Sequence, residues 1–393
     1  MSTLIGREAA VLMQTYARSP VAFAAGEGSW LSSTEGDRYL DFLSGLAVTS
    51  VGHSNPAVAR AVSEQMERLV HVSNLFYTEP MVELAEALTS RSGLDRVFFA
   101  NCGATANEAA IKLGRRYGQL TGGPDRHRVV TLLDSFHGRT LATLAATGQP
   151  PKQAMFHPLP PGFFQVAPGD LDALAAVVDD SVAAVMVETT QAEGGVVPLE
   201  ATYLQGVREL CDQRGALLIV DDIQAGIGRT GSWFSWQQLG FTPDIATTAK
   251  ALANGLPIGA CMATEEVASA FQPGDHATTF GGGPAVAAAG LAVIDEIESR
   301  QLLANTLDRS QQLAAGLGDL AGVVEVRGRG LLIAARLDSD RAVAVARSAL
   351  VDHKLIVNAV RPDAVRFTPA LTVSPEEVDE AIRRFAGALS SNG

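Results

Sequence analysis

Residues 218–231 read LIVDDIQAGIGRTG and join an apolar run to a polar, glycine-rich stretch. The apolar run, which begins at Leu217, is typical of a strand that is buried on both faces. Asp221 follows it directly, at the carboxyl end of the predicted strand. Open α/β sheets bind their ligands outside this end of their strands, so the stretch predicts a parallel sheet with an acidic group at its functional edge.

Similar apolar runs recur along the middle of the chain, with helical patterns between them. This alternation favours a parallel α/β fold. One helical pattern follows Gly103, and Thr105 with Glu108 predicts a capping box at its start. The predicted strands cover 96–100, 129–133, 182–187, 216–220, 245–248 and 258–263.

The last quarter of the chain has a different pattern, which predicts a smaller α+β unit. Strand patterns lie within 322–337 and 365–368. Ser374, Pro375 and Glu377 give the start signals of a final helix. We therefore predict three parts, namely an N-terminal arm that joins the small domain (1–55), a large domain (56–295) and a C-terminal small domain (296–393).

The composition excludes several classes of protein. Of the 393 residues, 47% are apolar and 19% are charged, which excludes a disordered polyelectrolyte. The net charge of −13 argues against binding to nucleic acid. Three scattered cysteines favour a reducing compartment, and no apolar run reaches the roughly 18 residues of a membrane span. Residues 1–20 lack a secretory h-region, so we expect a cytoplasmic protein without nucleic-acid or membrane partners.

Lys250 and Asp221 carry the predicted chemistry. Lys250 follows the predicted strand at 245–248, so both side chains are expected at carboxyl ends of strands in one sheet. A single lysine at such a place is more often a surface residue. Together, a lysine that can bond covalently to an aldehyde and an aspartate that can keep a pyridine nitrogen protonated suit pyridoxal phosphate.

Two other strand-to-helix turns have residues that suit such a cofactor. Residues 101–105 read NCGAT, and small residues at a helix N-terminus let the backbone approach a phosphate, although an ordinary capped helix start is the alternative. Phe136 is suited to stacking on a planar ring, and Arg139 to binding a carboxylate. A core phenylalanine beside a surface arginine is the alternative, and only the joint pattern favours a site.

Gly226, Gly228 and Gly231 spell G-x-G-x-x-G after a predicted strand, a spacing that can bind a dinucleotide. In a dinucleotide fold the chain turns directly after the strand, whereas here the four residues 221–224 intervene. A nicotinamide-dependent oxidoreductase is therefore the weaker alternative. We expect these glycines to shape an active-site loop.

Several motifs together give the chain a family resemblance. Residues 218–231, PDI at 243–245, KAL at 250–252 and GLPIG at 255–259 are similar to the signature of class III, fold type I, pyridoxal-phosphate aminotransferases. The resemblance covers almost the whole chain, and it implies a large α/β/α domain with a mostly parallel, seven-stranded type of sheet, and a small α+β domain. Five further segments resemble the acetylornithine aminotransferase subgroup, namely 26–28, 39–42, 44–48, 52–53 and 71–77.

The resemblance implies roles for individual residues around the cofactor pyridoxal 5′-phosphate. Lys250 would be bonded to the cofactor aldehyde and Asp221 would pair with the ring nitrogen. The other cofactor contacts implied are backbone groups of Gly103 and Ala104 at the phosphate, Phe136 on the ring, Gln224 at the phenolic oxygen, and the neighbouring Asp222 and Ile223. Thr279 would reach the phosphate in the partner subunit, which implies a homodimer with sites at the interface. No metal is implied.

The resemblance also implies how substrates are held. Arg139 would bind a substrate carboxylate, Arg366 the α-carboxylate of 2-oxoglutarate or glutamate, and Thr278 would lie beside the substrate. Glu193 would pair with Arg366 when the amino donor lacks that carboxylate. The implied reaction transfers the terminal amine of N-acetylornithine to 2-oxoglutarate, a step of arginine biosynthesis. The alternatives are ornithine, 4-aminobutyrate or diaminobutyrate as donor, and a catalytically silent binding protein on the same scaffold.

The chain departs from the family pattern at several positions near the implied site. Cys102, Ala104 and Thr105 replace the usual Ser, Thr and Glu, so a hydroxyl contact to phosphate is lost. Further departures are Thr189, Thr190, Ala192, Asp222 and Gly283. None removes an implied catalytic group, but Thr189 to Ala192 adjoin Glu193, so they bear on the choice of donor.

Overall fold

The computed structural model describes residues 4–392, so the outermost residues of the predicted arm and small domain, 1–3 and 393, lie outside it. Within this range the helices are α1 Leu4–Val11, α2 Ser44–Ala47, α3 Pro56–Arg68, α4 Glu79–Ser92, α5 Gly103–Gly122, α6 Leu141–Ala146, α7 Pro150–Gln153, α8 Leu171–Val177, α9 Ala201–Arg214, α10 Glu265–Ala268, α11 Pro284–Ser299, α12 Leu302–Gly318, α13 Ala342–Val351 and α14 Pro375–Ser390. Single 3-10 turns are formed by Ala154–Phe156, Ser235–Gln238 and Lys250–Ala253.

The strands of the same range are β1 Phe23–Glu27, β2 Trp30–Ser33, β3 Arg38–Asp41, β4 Arg96–Ala100, β5 Arg128–Leu132, β6 Phe163–Val166, β7 Val182–Val187, β8 Thr190–Gln191, β9 Val197–Pro198, β10 Leu217–Asp221, β11 Ile245–Thr248, β12 Gly259–Ala263, β13 Val323–Arg329, β14 Leu332–Leu337, β15 Leu355–Ile356, β16 Asn358–Arg361 and β17 Ala364–Phe367. None of the helices formed by residues 4–392 is long and apolar enough to span a membrane.

A seven-stranded sheet forms the centre of the larger part of the molecule, in the order β4-β12-β11-β10-β7-β5-β6. Six strands run in one direction, and β12 runs antiparallel to its two neighbours. Every residue of β7 and β10 is buried, because helices cover both faces of the sheet. The predicted mostly parallel α/β fold is confirmed. Asp221 of β10 pairs in register with Thr247 of β11, so the carboxyl ends of these strands lie side by side.

The sequence analysis missed the edge strand β6, FFQV. Of its four residues only Val166 is buried, Phe164 is exposed, and prolines at 158, 160 and 161 precede it. A short strand at a sheet edge buries one face at most, so it lacks the continuous apolar run by which the central strands were found.

The predicted start of α5 was wrong. The helix begins at Gly103 with Cys102 as its N-cap, and Thr105 is its third residue. The Thr105 hydroxyl accepts a hydrogen bond from the backbone N–H of Cys102 at 3.0 Å. Glu108 instead accepts one from the hydroxyl of Thr140 at 2.5 Å. The reciprocal cap is therefore formed by residues 102 and 105, which leaves the first helical N–H groups at the cavity described below.

The remaining strands form a smaller part that joins the two ends of the chain. β13, β14, β17 and β16 make an antiparallel sheet, and β3 pairs in parallel with β15. Glu377, in the first turn of α14, accepts hydrogen bonds at 2.9 Å from the Ser29 hydroxyl and the Trp30 indole. The predicted start of α14 is confirmed, since Ser374 and Glu377 cap each other. The exact domain boundaries stay a prediction.

Candidate active site

A cavity of about 380 Å³ lies at the carboxyl ends of β4, β10 and β11. Asn101 follows β4, Asp221 ends β10, and Lys250 comes two residues after β11, so the sheet itself brings these three side chains together. The cavity is also lined by the predicted residues Gly103, Ala104, Phe136, Arg139, Glu193, Ile223 and Gln224.

Asp221 is buried and held by several donors. Its Oδ2 atom accepts a hydrogen bond from Asn107 Nδ2 at 2.7 Å and lies 2.7 Å from His137 Nδ1. Its Oδ1 atom accepts one from the backbone N–H of Ile223 at 3.1 Å. Asn107 is itself fixed, because its amide oxygen accepts a hydrogen bond from the Thr247 hydroxyl at 2.7 Å. The carboxylate therefore has a fixed orientation at the wall of the cavity.

Two further titratable groups that line the cavity, His137 and Glu188, have raised pKa values. Burial disfavours the charged form of His137, but the hydrogen bond to Asp221 and its negative charge outweigh burial and raise the pKa of His137. Burial raises the pKa of Glu188 to about 7. Glu188 Oε2 accepts a hydrogen bond at 2.9 Å from the backbone N–H of Phe136, so this carboxyl also fixes the loop that carries the ring.

Lys250 has two properties that set it apart from a surface lysine. Its backbone lies in the left-handed region, with φ of 34°, a conformation that costs energy in a residue other than glycine and is common at functional sites. Burial lowers the pKa of its ammonium to about 8, although the attraction of Glu193 acts in the opposite direction. About a tenth of this amine is therefore neutral at pH 7, and a neutral amine is a nucleophile and a base.

The N-terminus of α5 forms a narrow wall of the same cavity. A Cβ atom added to Gly103 would lie 2.8 Å from Cδ1 of Ile223, so only glycine allows this close approach. The first N–H groups of an α-helix have no partner within the helix and favour an anion. This turn is therefore suited to a phosphate, as its sequence predicts.

Cations surround Phe136 at the mouth of the cavity. The Arg139 guanidinium carbon is 5.6 Å from the ring centroid, and Lys152 Nζ is 5.0 Å from it. Arg139 is exposed, while Lys152 is half-buried, and burial lowers the pKa of Lys152. A carboxylate that enters past Phe136 meets positive charge at this point.

Glu193 and Arg366 form an ion pair on the side of the cavity that faces the small domain. Arg366 is buried, and its Nη1 atom donates to Glu193 Oε1 at 2.6 Å and to Gln224 Oε1 at 2.9 Å. Burial alone would raise the pKa of Glu193, but the charge and hydrogen bond of Arg366 lower it overall. The arginine is thus occupied by a residue of the chain, the arrangement that the family resemblance implies for a donor that lacks an α-carboxylate at this position.

Asp222 does not line the cavity, in contrast to the predicted cofactor contact. Its carboxylate points to Ser235, whose backbone N–H donates to Oδ2 at 3.0 Å and whose hydroxyl donates to Oδ1. Complete burial raises the pKa of Asp222 to about 7. Asp222 follows the end of β10, and its carboxylate points to Ser235, away from the cavity that Asp221 lines.

Thr278 and Thr279 line a second cavity of about 980 Å³, beside Asn74 and Phe99. The two cavities adjoin at Asn101, whose Oδ1 atom accepts a hydrogen bond from the Thr278 hydroxyl at 3.2 Å. Thr279 itself is exposed. Its predicted contact with the cofactor of a partner subunit involves a second chain and stays a prediction.

The glycine motif at 226–231 lies away from both cavities, so its expected role as an active-site loop was wrong. Added Cβ atoms would lie 2.9 Å from Leu371 at Gly228 and 2.3 Å from Leu307 at Gly231. Between them, Arg229 is fully buried and donates to the carbonyl oxygens of Leu331 and Pro369. The glycines let the loop pack closely against the small domain, and no helix of the dinucleotide type follows directly.

Sequence reasoning missed three residues around Asp221, namely Asn107, His137 and Glu188. Glu188 follows the buried strand β7 directly, so the rule that selected Asp221 would have selected it too. His137 lies between the predicted Phe136 and Arg139, but its contact with Asp221 depends on how β5 and β10 are placed. Asn107 lies on a helix, where nothing in the local pattern separates it from a surface amide.

The structure offers no alternative site for a metal ion within the described part of the chain. Among residues 4–392, no group of three or more histidine, cysteine, aspartate or glutamate side chains is arranged to hold one. The cysteines Cys102, Cys211 and Cys261 are free thiols.

Known proteins share both the sequence and the fold. Residues 13–389 match the family described as aminotransferase class-III. An acetylornithine aminotransferase from Gloeobacter violaceus is 48% identical over 384 residues, 96% of each chain. The N-acetylornithine aminotransferase from Stenotrophomonas maltophilia is 35% identical, with 99% of each chain covered and a TM-score of 0.85. The ornithine aminotransferase from Toxoplasma gondii, with partial occupancy of PLP at its active site, is 30% identical with a TM-score of 0.94, covering 98% of this chain and 94% of that one.

Proposed function

The chain belongs to the class III aminotransferases, and from this membership we propose that its cavity transfers the terminal amino group of N-acetylornithine to 2-oxoglutarate. The products are N-acetylglutamate semialdehyde and glutamate, so one amino group and one carbonyl oxygen change places. The observation that carries the proposal is the convergence of Asp221, Lys250 and Glu193 on one cavity, with Glu193 paired to the buried Arg366.

The enzyme depends on pyridoxal phosphate, and the residues of the cavity fit this group. A buried, hydrogen-bonded carboxylate at Asp221 suits a protonated ring nitrogen, and the approach allowed by Gly103 suits a phosphate at the start of α5. The cofactor, when bound, serves as the electron sink for the carbanion that forms at the reacting carbon. Phe136 is available to cover the ring, and Lys250 to hold the cofactor covalently.

Lys250 is the group that we assign to proton transfer. Once the donor amine has replaced Lys250 at the cofactor aldehyde, the freed, neutral Nζ would take a proton from the carbon that bears the reacting amine and would return it on the cofactor side. With a pKa of about 8, this amine is present in both protonation states near neutral pH, so it can take up a proton and release it again. Asp221, which stays in place through its contacts with Asn107 and His137, keeps the ring-nitrogen proton where it is needed.

The arginines at the two ends of the cavity are assigned to carboxylates. Arg139 binds the donor carboxylate near the mouth and leaves the terminal amine close to Lys250. When 2-oxoglutarate enters, Glu193 turns away and Arg366 binds the α-carboxylate, while Arg139 binds the other carboxylate. A buried arginine needs an anionic partner at all times, so the exchange of Glu193 for a substrate carboxylate keeps its charge compensated.

The first test asks which lysine carries the cofactor. The chain contains only four lysines, Lys112, Lys152, Lys250 and Lys354. Borohydride reduction of the cofactor-loaded protein should abolish the visible absorbance band and leave a pyridoxyl adduct on Lys250, located by peptide mass spectrometry. An adduct at any of the other three would contradict the assignment, and Lys354→Ala serves as the matched control that keeps the band.

The second test identifies the donor. N-acetylornithine, ornithine, 4-aminobutyrate and diaminobutyrate are compared at equal concentration with 2-oxoglutarate, and glutamate formation is measured. We expect the highest kcat/KM with N-acetylornithine. Ornithine is the main competitor because the Toxoplasma gondii relative carries that name. Faster turnover of another donor would leave the assignment as an aminotransferase intact, but it would refute N-acetylornithine as the preferred donor.

We propose further that the protein works as a homodimer in the cytoplasm. Leu75, Phe76 and Tyr77 expose 84%, 64% and 96% of their surfaces close to Thr279, and such a patch supports a subunit interface. The free cysteines support a reducing compartment. Light scattering after gel filtration should give twice the 41.1 kDa chain mass, and Tyr77→Glu should shift it toward the monomer.

A further inference from the structure

Glu193 lies in a segment that arginines of the small sheet hold by hydrogen bonds, including at both ends of the segment. This segment, residues 189–199, crosses from β8 to β9 and is mostly buried. Arg329 of β13 donates to the carbonyl oxygen of Thr189 at 2.8 Å and to that of Leu199 at 2.6 Å. One side chain thus spans the two ends of the segment.

Two more arginines hold the middle of the segment, directly after Glu193. Arg361 Nε donates to the carbonyl oxygen of Gly194 at 2.9 Å, and Arg327 Nε donates to that of Gly195 at 2.9 Å. Arg361 also pairs with Asp134 through Nη2. We call Arg327, Arg329 and Arg361 the arginine clasp.

The glycines at 194 and 195 permit the close approach of the clasp. A Cβ atom on Gly195 would lie 2.8 Å from Arg327 Nη2 and 3.1 Å from Arg361 Cγ, and φ of 113° also favours glycine. A Cβ atom on Gly194 would lie 2.8 Å from the carbonyl oxygen of Asp134. The backbone next to Glu193 is therefore enclosed on several sides.

A fixed backbone determines how Arg366 can be freed. Because the segment is held at 189, 194, 195 and 199, Glu193 can leave Arg366 only by rotation of its side chain, and the pair at 2.6 Å is preorganised for re-formation. We propose that Arg327 and Arg361 are positioning residues that act through Glu193 and set how readily Arg366 accepts the α-carboxylate of 2-oxoglutarate. The inference rests on the proposed function.

The test measures equilibrium binding of 2-oxoglutarate to the pyridoxal form of the holoenzyme, which has no amino group to transfer. Titration calorimetry gives the Kd without turnover. In Arg361→Gln the segment loses one anchor, the Glu193–Arg366 pair weakens, and we expect binding to become about three- to tenfold tighter. Arg327→Gln should change the Kd in the same direction and serves if the first variant folds poorly, which circular dichroism and Tm report.

The sign of the effect separates the clasp from simple electrostatics. Removal of a positive charge near the cavity should by itself weaken the binding of a dianion. In a Glu193→Gln background the clasp has no carboxylate to position, so Arg361→Gln should no longer tighten binding. Arg383→Gln, an exposed arginine on α14 that pairs with Glu380, is the matched control and should leave the Kd unchanged.

Each outcome bears on one of the two proposals. Unchanged or weaker binding in both clasp variants, or an equal gain in the Glu193→Gln background, would overturn the clasp while the aminotransferase stands. Absence of 2-oxoglutarate binding in the unmodified enzyme, or no tightening in Glu193→Gln alone, would overturn the assigned exchange of Glu193 for the α-carboxylate at Arg366. The proposal for the clasp would fall with it.

Discussion

The two sides of the candidate active site are held together in different ways. On the Asp221 side, contacts at 2.7 Å join buried side chains of the central sheet and of α5, which packs on it. On the Glu193 side, long arginine side chains reach from the small sheet to the segment at 189–199, whose strands β8 and β9 form a two-stranded sheet of their own. The first arrangement keeps one geometry, whereas the second joins two sheets through flexible side chains.

The difference teaches which part of the reaction is common and which is specific. Every transamination step needs the same protonated ring nitrogen and the same lysine, so rigidity is useful on that side. Two substrates with different carboxylates must use the other side in turn, so a replaceable ion pair is useful there. Variants on the first side should therefore affect both half-reactions equally, and variants on the second side should separate them.

The largest effect is expected from Lys250→Ala. It removes both the covalent attachment and the proton-transfer group, so both half-reactions should slow by at least about 10⁴-fold. Single-turnover absorbance changes with each substrate measure this. Lys354→Ala, far from the cavity in a pair with Asp37, should keep the unmodified rates. If only one half-reaction slowed, the rigid side would not be common to both.

Adjacent aspartates provide the next test. Asp221→Asn should lower kcat by about 10²- to 10³-fold for both substrates, because a neutral amide no longer favours a protonated ring nitrogen. Asp222→Asn should leave kcat within about twofold, because that side chain faces Ser235. Steady-state rates of the two purified variants decide between them, and an equal loss in both would refute the assignment to Asp221 alone.

Glu193→Gln should separate the two half-reactions. Without the carboxylate, Arg366 is free, so 2-oxoglutarate and glutamate should bind about tenfold more tightly, while the KM for N-acetylornithine should rise because nothing compensates the buried arginine. The two half-reactions are followed separately by stopped flow. A parallel change in both would show that this side is as rigid as the other.

The pH dependence of stability gives a smaller test that leaves the rate untouched. The pKa of Asp222 is raised by burial from 3.8 to about 7, so its folded state favours the proton and stability is lost as pH rises through that range. Asp222→Asn lacks this loss. The Tm of this variant, relative to that of the unmodified protein, should therefore rise between pH 4 and pH 8. The corresponding gain in the free energy of unfolding is on the order of 1–4 kcal/mol. Exposed Asp125→Asn, measured over the same range, should show no such trend.

Much of the central sheet and the catalytic pair could be predicted from the sequence. Buried parallel strands leave continuous apolar runs, and the polar residue after such a run lies at the functional edge, which located Asp221 and Lys250. The resemblance supplied Glu193 and Arg366, whose contact at 2.6 Å spans 173 positions of the chain and has no local signal.

The parts that were missed depend on tertiary contacts. Asp222 was grouped with Asp221, but its carboxylate is turned to Ser235, a contact 13 residues away that has no local signal. The clasp arginines lie in the strands of the small sheet, and nothing in the pattern of β13 or β16 shows that they reach residues 189–199. The glycine motif was misread because its close packing against Leu307 and Leu371 looks, in sequence, like a loop around a ligand.

The pairing of β3 with β15 bears on how the protein is made on the ribosome. The first 41 residues cannot complete their sheet until Leu355 and Ile356 have emerged, and Ser29 waits for Glu377. The strands of the central sheet, by contrast, end at residue 263, so that sheet can assemble while the rest is still being translated. Arg361 and Arg366 are translated about 100 residues after the last strand of the central sheet, so a nascent chain holds the residues for the cofactor before it can discriminate between its two substrates.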